Sequence, residues 1–332
     1  MILVTGAAGY IGSHCALTLL EKGNPVVVLD NLSTGHIETI EKLKEAGELK
    51  FYQADLLEPK SIEKVFSENQ IDEVIHFAGV ALVPESVVNP QKYYMNNVVG
   101  TLNLLNTMLK FGTKRIVFSS TCATYGEPQY IPIDENHIQN PINPYGQSKL
   151  MIEKILDDYD KAYGIKSVRL RYFNVTGADK KSRIGEWHQI ETHLIPNILK
   201  STLDTSKTFE IYGDDYDTKD GTCVRDYIDM EDLINAHVLA LEYLRNGGKT
   251  DYFNIGTHNG SSVKDIFEEC KAVTKCDIPV KICARRPGDP AKLIADNRKA
   301  SEILKWNPKN TLQNSIQNAY NWEKVLSNIH NK

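Results

Sequence analysis

The 332-residue chain has no apolar run near the ~20 residues needed to cross a bilayer, so no membrane-spanning helix is expected. It has no Cys-x-x-Cys pair. The six cysteines, Cys15, Cys122, Cys223, Cys270, Cys276 and Cys283, are scattered. That reads as reduced thiols in a cytoplasmic protein rather than a disulfide framework or a zinc site. The nine histidines show no metal-like spacing with carboxylates, and no metal is expected. There is no basic excess. A net charge of −5 gives no reason to expect nucleic acid or an anionic membrane surface as a partner. The amino terminus begins Met-Ile-Leu-Val-Thr-Gly, with no basic segment or cleavage site, so nothing in it marks the chain for secretion. Low-complexity linkers and internal repeats are also missing. What remains has the composition of a soluble globular protein, long enough for a large core or two lobes.

The first half alternates short apolar runs with helical spacing. Ile2-Leu3-Val4, Val26-Val27-Val28-Leu29, Lys50-Phe51-Tyr52-Gln53, Val74-Ile75-His76-Phe77, Arg115-Ile116-Val117-Phe118 and Ser167-Val168-Arg169-Leu170-Arg171-Tyr172 are expected strands. Their unbroken apolar character predicts parallel strands covered on both faces. Helices are expected over Ile11 to Lys22, Pro59 to Glu68, Val98 to Phe111 and Tyr145 to Tyr163. Strand, helix, strand in repetition means right-handed crossovers, hence an α/β fold with a doubly wound parallel, Rossmann-type sheet. After Asn174 the pattern loosens. Residues 1–174 are expected to form a dinucleotide-binding domain and 175–332 a smaller α/β substrate-binding lobe, with the chain crossing between them. A ligand belongs in the cleft at the carboxyl ends of the strands.

Gly6-Ala7-Ala8-Gly9-Tyr10-Ile11-Gly12 joins the first strand to the first helix. Glycines there allow a tight turn and close approach of a pyrophosphate to the backbone, and the helix N-terminus supplies N–H donors. The spacing is Gly-x-x-Gly-x-x-Gly, a loose match to the common dinucleotide fingerprint, and an ordinary glycine turn would look the same. Asp30 ends the second strand, where a carboxylate can accept from both ribose hydroxyls and would repel a 2′-phosphate. That favours NAD over NADP; the alternative is a solvated strand-end aspartate. Asp55, ending the third strand, is placed to contact the adenine amino group in the same way. Tyr145 and Lys149 lie one helical turn apart and so share a face, a spacing that also arises by chance. An ammonium beside a phenol favours the phenolate, so Tyr145 is expected to have a lowered pKa and to act as a general base.

Taken in order, the glycine turn, Asp30, Asp55, Phe77-Ala78-Gly79, Ser119-Ser120-Thr121 and Tyr145-x-x-x-Lys149 resemble the extended short-chain dehydrogenase/reductase family. The closer resemblance is to the UDP-glucose (UDP-galactose) 4-epimerases. It rests on Ala8-Gly9-Tyr10-Ile11-Gly12-Ser13-His14, Val28-Leu29-Asp30-Asn31-Leu32, Arg171-Tyr172-Phe173-Asn174, Glu191-Thr192-His193-Leu194-Ile195-Pro196, Asp220-Gly221-Thr222-Cys223-Val224-Arg225-Asp226-Tyr227 and Arg286-Pro287-Gly288-Asp289-Pro290. The resemblance implies an NAD site lined by Gly6, Gly9, Tyr10, Ile11, Gly12, Asp30, Asn31, Asp55, Leu56, Phe77, Ala78, Gly79, Asn96, Tyr145, Lys149 and Phe173. It implies that Tyr145 is the base, Lys149 its electrostatic partner, and Thr121 a hydrogen-bond partner of the sugar 4-oxygen. Asn174, His193, Leu194, Tyr212, Arg225, Tyr227, Arg286 and Asp289 would join Thr121 and Tyr145 in holding a UDP-sugar, with Arg225 and Arg286 on the diphosphate. Arginine forks suit phosphate oxygens, although either arginine taken singly reads as a surface ion pair. A homodimer built through the Val98 and Tyr145 helices is also implied.

The expected activity is inversion at C4 of a UDP-hexose. That carbon has no acidic proton, so the route is oxidation to a transient 4-keto sugar and reduction on its other face, with tightly bound NAD ending as it began. Nucleotide-sugar dehydratases, which the chain also resembles, carry an Asp-Glu pair after the central Ser/Thr. Here the stretch is Thr121-Cys122-Ala123-Thr124-Tyr125-Gly126, which disfavours dehydration. The same stretch resembles UDP-arabinose/UDP-xylose 4-epimerases, so a pentose substrate is an alternative. Leu293 stands where some hexose-restricted relatives place tyrosine, which leaves UDP-GlcNAc/UDP-GalNAc open as a second pair. A non-catalytic NAD-binding regulator, the reading from another class, predicts a degraded Thr–Tyr–Lys set; here the set is complete.

Overall fold

Short β-branched runs bounded by turns form the strands, and the longer amphipathic stretches between them form helices. A computed structural model describes residues 1–204, 208–286 and 289–330. The chain begins with β1 (Ile2–Thr5), α1 (Tyr10–Glu21), β2 (Val26–Asp30), α2 (Ile37–Lys44), β3 (Leu49–Gln53), α3 (Pro59–Glu68) and β4 (Glu73–His76). Two short helices, α4 (Val83–Val88) and α5 (Pro90–Tyr93), lead through a π-helical turn at Tyr94–Val99 into α6 (Gly100–Phe111). Next come β5 (Arg115–Ser119), a single 3₁₀ turn at Cys122–Thr124, α7 (Pro144–Tyr163), β6 (Lys166–Tyr172) and β7 (Asn174–Thr176). The remainder is α8 (Leu194–Leu203), β8 (Phe209–Tyr212), β9 (Val224–Asp229), α9 (Met230–Arg245), β10 (Asp251–Ile255), β11 (Gly260–Ser262), α10 (Val263–Thr274), β12 (Val280–Cys283), β13 (Lys292–Leu293) and α11 (Leu312–His330).

The main sheet has seven strands in the order β10-β6-β5-β4-β1-β2-β3, and every neighbouring pair is parallel. The six strands expected from the sequence are all in it. Their unbroken apolar runs have a simple cause. Ile2, Val4, Val26 and Val28 point into one core, while Leu3, Val27 and Leu29 point into another on the opposite face. Both faces are dry, so alternation with polar residues would bury unpaired groups.

The sheet is not confined to the first 174 residues. The chain returns to it: α9 packs against α1, β5 and β6, and β10 pairs with β6 along Asp251–Ile255. As an edge strand, β10 opens on Asp251 and Tyr252 and lacks the continuous apolar signal of the inner strands. In the second part β9 is central, with β11, β13 and β7 paired to it, and β8 and β12 form a separate parallel pair. Ile195, Ile198 and Leu199 of α8, Ile266 and Phe267 of α10, and Ile316 of α11 close a third core against Phe209 and Ile211.

The strand order reverses between β1 and β4. Crossovers leave these two neighbours toward opposite sides, so a crevice opens at their carboxyl ends.

Candidate active site

The Gly6–Gly12 turn and the Phe77–Gly79 segment face each other at this crevice. Gly6 has φ +75° and its missing Cβ would lie 2.6 Å from the Ala78 nitrogen, so only glycine fits. A Cβ on Gly12 would land on the Gly6 carbonyl oxygen. Helix α1 starts at Tyr10 after Gly9, with no side chain capping its first N–H groups. An anion would find these donors unclaimed and aligned with the helix dipole. Asp30, at the end of β2, accepts from the Ala8 and Leu32 nitrogens at 2.9 and 2.8 Å, which fixes its carboxylate beside the turn. Two acceptor positions of the carboxylate remain for hydroxyl donors. Burial pushes the Asp30 pKa up, and the two N–H bonds oppose it. Asn31 donates to Asp55 Oδ2 at 2.9 Å, which joins the ends of β2 and β3. These groups fit NAD: a glycine cradle, open helix donors and a carboxylate at the second strand.

Opposite them, α7 presents Tyr145 and Lys149. The Asn143 side chain accepts from the Gly146 nitrogen at 2.8 Å and Pro144 occupies the first helical position, a strong start signal that puts Tyr145 in the first turn. Gly146 lets the helix start close against the Cys122–Thr124 turn: a Cβ there would sit 2.5 Å from the Ala123 oxygen. That close approach brings Tyr145 near Thr121, whose hydroxyl acts to lower the phenol pKa. Thr121 also caps the 3₁₀ turn by accepting from the Ala123 nitrogen. Lys149 Nζ donates to the Ser119 carbonyl at 3.0 Å and lies 4.8 Å from the Phe118 ring centroid and 6.0 Å from that of Tyr145.

The expected lowering of the Tyr145 pKa does not occur in the chain as folded. Burial pushes the phenol well up, with Tyr172 adding to it, and the Thr121 hydroxyl only partly offsets this. Lys149 is buried too, and desolvation draws its pKa down to about 8 while Glu153, one turn further along α7, opposes that shift. The spacing argument counted the attraction between the two groups and not the cost of drying both. A phenolate here needs further positive charge in the pocket.

Other expected site residues gather around this centre. Phe173 and Leu293 pack with Tyr125 and Cys122, next to Thr121. Asn174 pairs with Tyr227 across β7 and β9, and Arg225 lies close enough to Cys122 to act on its thiol electrostatically. Arg225 is nearly buried, donates to Asp289 Oδ1 at 2.6 Å and is not a surface pair. Exposed Arg286 stacks on the Tyr212 ring at 4.1 Å; Pro287 and Gly288, between it and Asp289, lie outside the described residues. Ile11 and Leu56 pack into the cores flanking the crevice. The Asn96 amide donates to the Lys92 carbonyl.

Three groups escaped the sequence reading. Buried Asn97 exchanges hydrogen bonds with both backbone groups of Val80 and donates to Ser148, tying the segment after β4 to α7. The π-helical turn supplies the extra residue that aims it there. Glu153 and Arg171 form a buried pair, bonded also to Ser120 and Tyr125. The third group corrects an expectation: histidines and carboxylates do come together. Glu186, His188, Glu191 and His193 gather their ligating atoms within 4.8 Å of one another. Leu194 follows directly and packs into the third core. Burial opposes charge on the imidazoles, yet bonds to both glutamates push His188 up to about 9 and His193 up to about 10.

A family model described as GDP-mannose 4,6-dehydratase matches residues 3–319. A UDP-glucose 4-epimerase of Halalkalibacterium halodurans is 50% identical over 324 residues, covering 97% of this chain and 95% of its own length. This chain belongs to the UDP-glucose 4-epimerase family. Among solved members, the Bifidobacterium longum epimerase in complex with NAD+ and UDP superimposes with a TM-score of 0.94 at 39% identity, covering 98% of this chain and 99% of that one. The UDP-Glc/GlcNAc 4-epimerase of Campylobacter jejuni is 42% identical with a TM-score of 0.86 over 98% of this chain and 99% of that one. The epimerase relatives agree with the missing carboxylate pair after Thr121, although the broader family model carries a dehydratase's description.

Proposed function

We propose that this chain is an NAD-dependent isomerase that inverts C4 of UDP-hexoses, interconverting UDP-galactose and UDP-glucose through a transient 4-keto sugar. The observation that carries the reading is buried Tyr145, close to Thr121 and to Lys149 at the switch point, with no carboxylate following Thr121. Bound NAD supplies a hydride acceptor and a positive ring charge. Gly6, Gly9, Gly12, Tyr10 and Ile11 hold its pyrophosphate side, and Asp30, Asn31, Asp55 and Leu56 its adenosine side. Phe77, Ala78, Gly79, Asn96 and Phe173 line the rest. Tyr145 Oη takes the proton of the sugar 4-hydroxyl and gives it back to that same oxygen once the keto sugar has turned and C4 is reduced on its other face. Thr121 orients that oxygen. Lys149, kept charged by Glu153, favours the phenolate. Arg225 and Arg286 grip the diphosphate, and Asn174, His193, Leu194, Tyr212, Tyr227 and Asp289 hold the rest of the nucleotide sugar, which stays anchored throughout.

The purified protein is expected to show bound NAD in its ultraviolet spectrum and to convert UDP-galactose to UDP-glucose with no cofactor added. Release of NADH in proportion to substrate consumed would instead mark a dehydrogenase.

A second substrate pair is favoured by Leu293, half-buried on β13 next to Arg225 on β9 and packed toward Cys122 and Phe173. A leucine leaves room for an N-acetyl group at C2 that a tyrosine would fill. UDP-GlcNAc turnover is expected in the wild type, and Leu293→Tyr should lower it at least about tenfold while sparing UDP-galactose, in line with a loss of 1–3 kcal/mol for a mismatched pocket. Fast UDP-galactose turnover with none of UDP-GlcNAc in the wild type rejects this pair.

The working unit is a homodimer joined through α6 and α7, and the compartment is the cytoplasm. Exposed Met95, Phe111 and Met151, which lie on or beside these helices, support the first reading. For the second, no described helix is long and apolar enough to cross a membrane.

A further inference from the structure

We propose that Glu186, His188, Glu191 and His193 form a closed, four-ligand site for a divalent transition ion of the zinc class. The role is structural: it ties the loop before α8 to the body of the protein, beside the nucleotide-sugar site that His193 also borders in the proposed function.

The four ligand groups come from a single eight-residue stretch, Glu-x-His-x-x-Glu-x-His. His188 Nδ1 lies 3.3 Å from Glu186 Oε1 and 3.4 Å from Glu191 Oε2. His193 Nδ1 lies 2.8 Å from Glu186 Oε1 and 2.9 Å from Glu191 Oε1. A tetrahedral ion with bonds of about 2.0–2.1 Å separates its ligand atoms by about 3.3–3.4 Å. His188 Nδ1 already stands at that distance from both glutamates, His193 Nδ1 is a few tenths of an ångström closer, and all four ligand atoms lie within 4.8 Å of one another. Two imidazole nitrogens and two carboxylate oxygens suit zinc better than magnesium or calcium, which prefer all-oxygen shells. Four protein ligands leave no open position, the mark of a structural rather than a catalytic site.

Both glutamate side chains are buried, 7% and 5% exposed. The Lys200 ammonium is 3.7 Å from Glu191, beyond hydrogen-bond reach, and 4.0 Å from Glu323, which borders the same pocket. The two carboxylates are paired in this fold with the two imidazoles; a divalent ion would take over that pairing, charge for charge, once the imidazoles are neutral. On binding, the Nδ1 protons leave to solvent and metal–nitrogen bonds take their place.

The loop is also held ready. The Trp322 ring packs on Gly185, and its Nε1 donates to the Glu186 carbonyl at 2.8 Å. Trp187 stacks on His36 with ring centroids 3.7 Å apart, and the His36 ring nitrogen meets the Trp187 carbonyl at 3.1 Å. Glu191 Oε1 accepts from the Thr192 and His193 nitrogens, which leaves Oε2 turned toward His188. Little ordering remains to oppose metal affinity.

The test uses the full-length NAD-loaded protein, stripped with a chelator, mixed with excess Zn²⁺ alone and passed through a desalting column. One zinc per chain should remain. X-ray absorption at the zinc edge should show two imidazole nitrogens and oxygen neighbours without sulfur. His188→Gln and Glu186→Gln should each bind zinc at least about 100-fold more weakly. Failure of the wild type to retain zinc, sulfur in its shell, or undiminished binding in both variants overturns the proposal. The wild-type spectrum decides the matter by itself if the variants do not fold.

Discussion

Tyr145→Phe is expected to lower kcat for UDP-galactose by about 10²–10⁴ while UDP binding, followed by calorimetry, stays as in the wild type. Phenylalanine keeps the ring and its edge-on contact with Tyr93 at 6.5 Å between centroids, so the pocket keeps its shape. What goes is the phenol oxygen, close to Thr121, that can carry the sugar's proton. Thr121 cannot take over, because a threonine hydroxyl is far too weak an acid to cycle a proton here. The loss should therefore appear in kcat with KM little changed, the sign of an interaction made in the transition state. Activity within about tenfold of wild type would remove Tyr145 from its assigned role.

Arg171→Met should destabilise the NAD-bound protein by about 3–5 kcal/mol, read from urea unfolding. Arg171 and Glu153 are both almost wholly buried, with Arg171 Nη2 2.5 Å from Glu153 Oε2. Methionine fills most of the space but leaves the carboxylate with Ser120 and Gln139 as its remaining side-chain hydrogen-bond partners among the described residues. The stabilisation comes from not stranding that charge, so pairing Arg171→Met with Glu153→Leu should recover most of the loss. Although burial pushes Glu153 up, Arg171 holds it below its ordinary 4.5. A lowered carboxylate pKa contributes stability above the unfolded value that disappears as pH falls through the folded one, so the wild-type advantage over Arg171→Met should shrink below about pH 4.5. A single-variant loss under about 1 kcal/mol would show that the pair is not holding β6 to α7. The same substitution reaches the active site, since Glu153 opposes the desolvation that draws the Lys149 pKa down.

Much of the fold was legible because it is written at short range. Continuous apolar runs marked both-faces-buried strands, and Asn143-Pro144 marked the start of α7. The spacing from Tyr145 to Lys149 put both on one helix face. Other features were not legible. β10 has the composition of an edge strand, and only its pairing with β6 puts it in the sheet. Asn97 stands one position from Asn96, and only the π-helical turn aims it at Val80 and Ser148. The histidine–glutamate cluster was in plain view as a string, yet nothing in it says that its carboxylates would be buried together.

By itself the sequence determined the doubly wound parallel sheet, the glycine turn with Asp30 after it, and the tyrosine–lysine pair, because each depends on neighbours a few residues apart and on backbone geometry common to all chains. The tertiary structure alone decided how dry that pair is, and with it the direction of the Tyr145 pKa. It also decided that Thr121 meets Tyr145 and that Arg225 meets Asp289. Desolvation depends on which distant segments cover a group, and no local spacing records that.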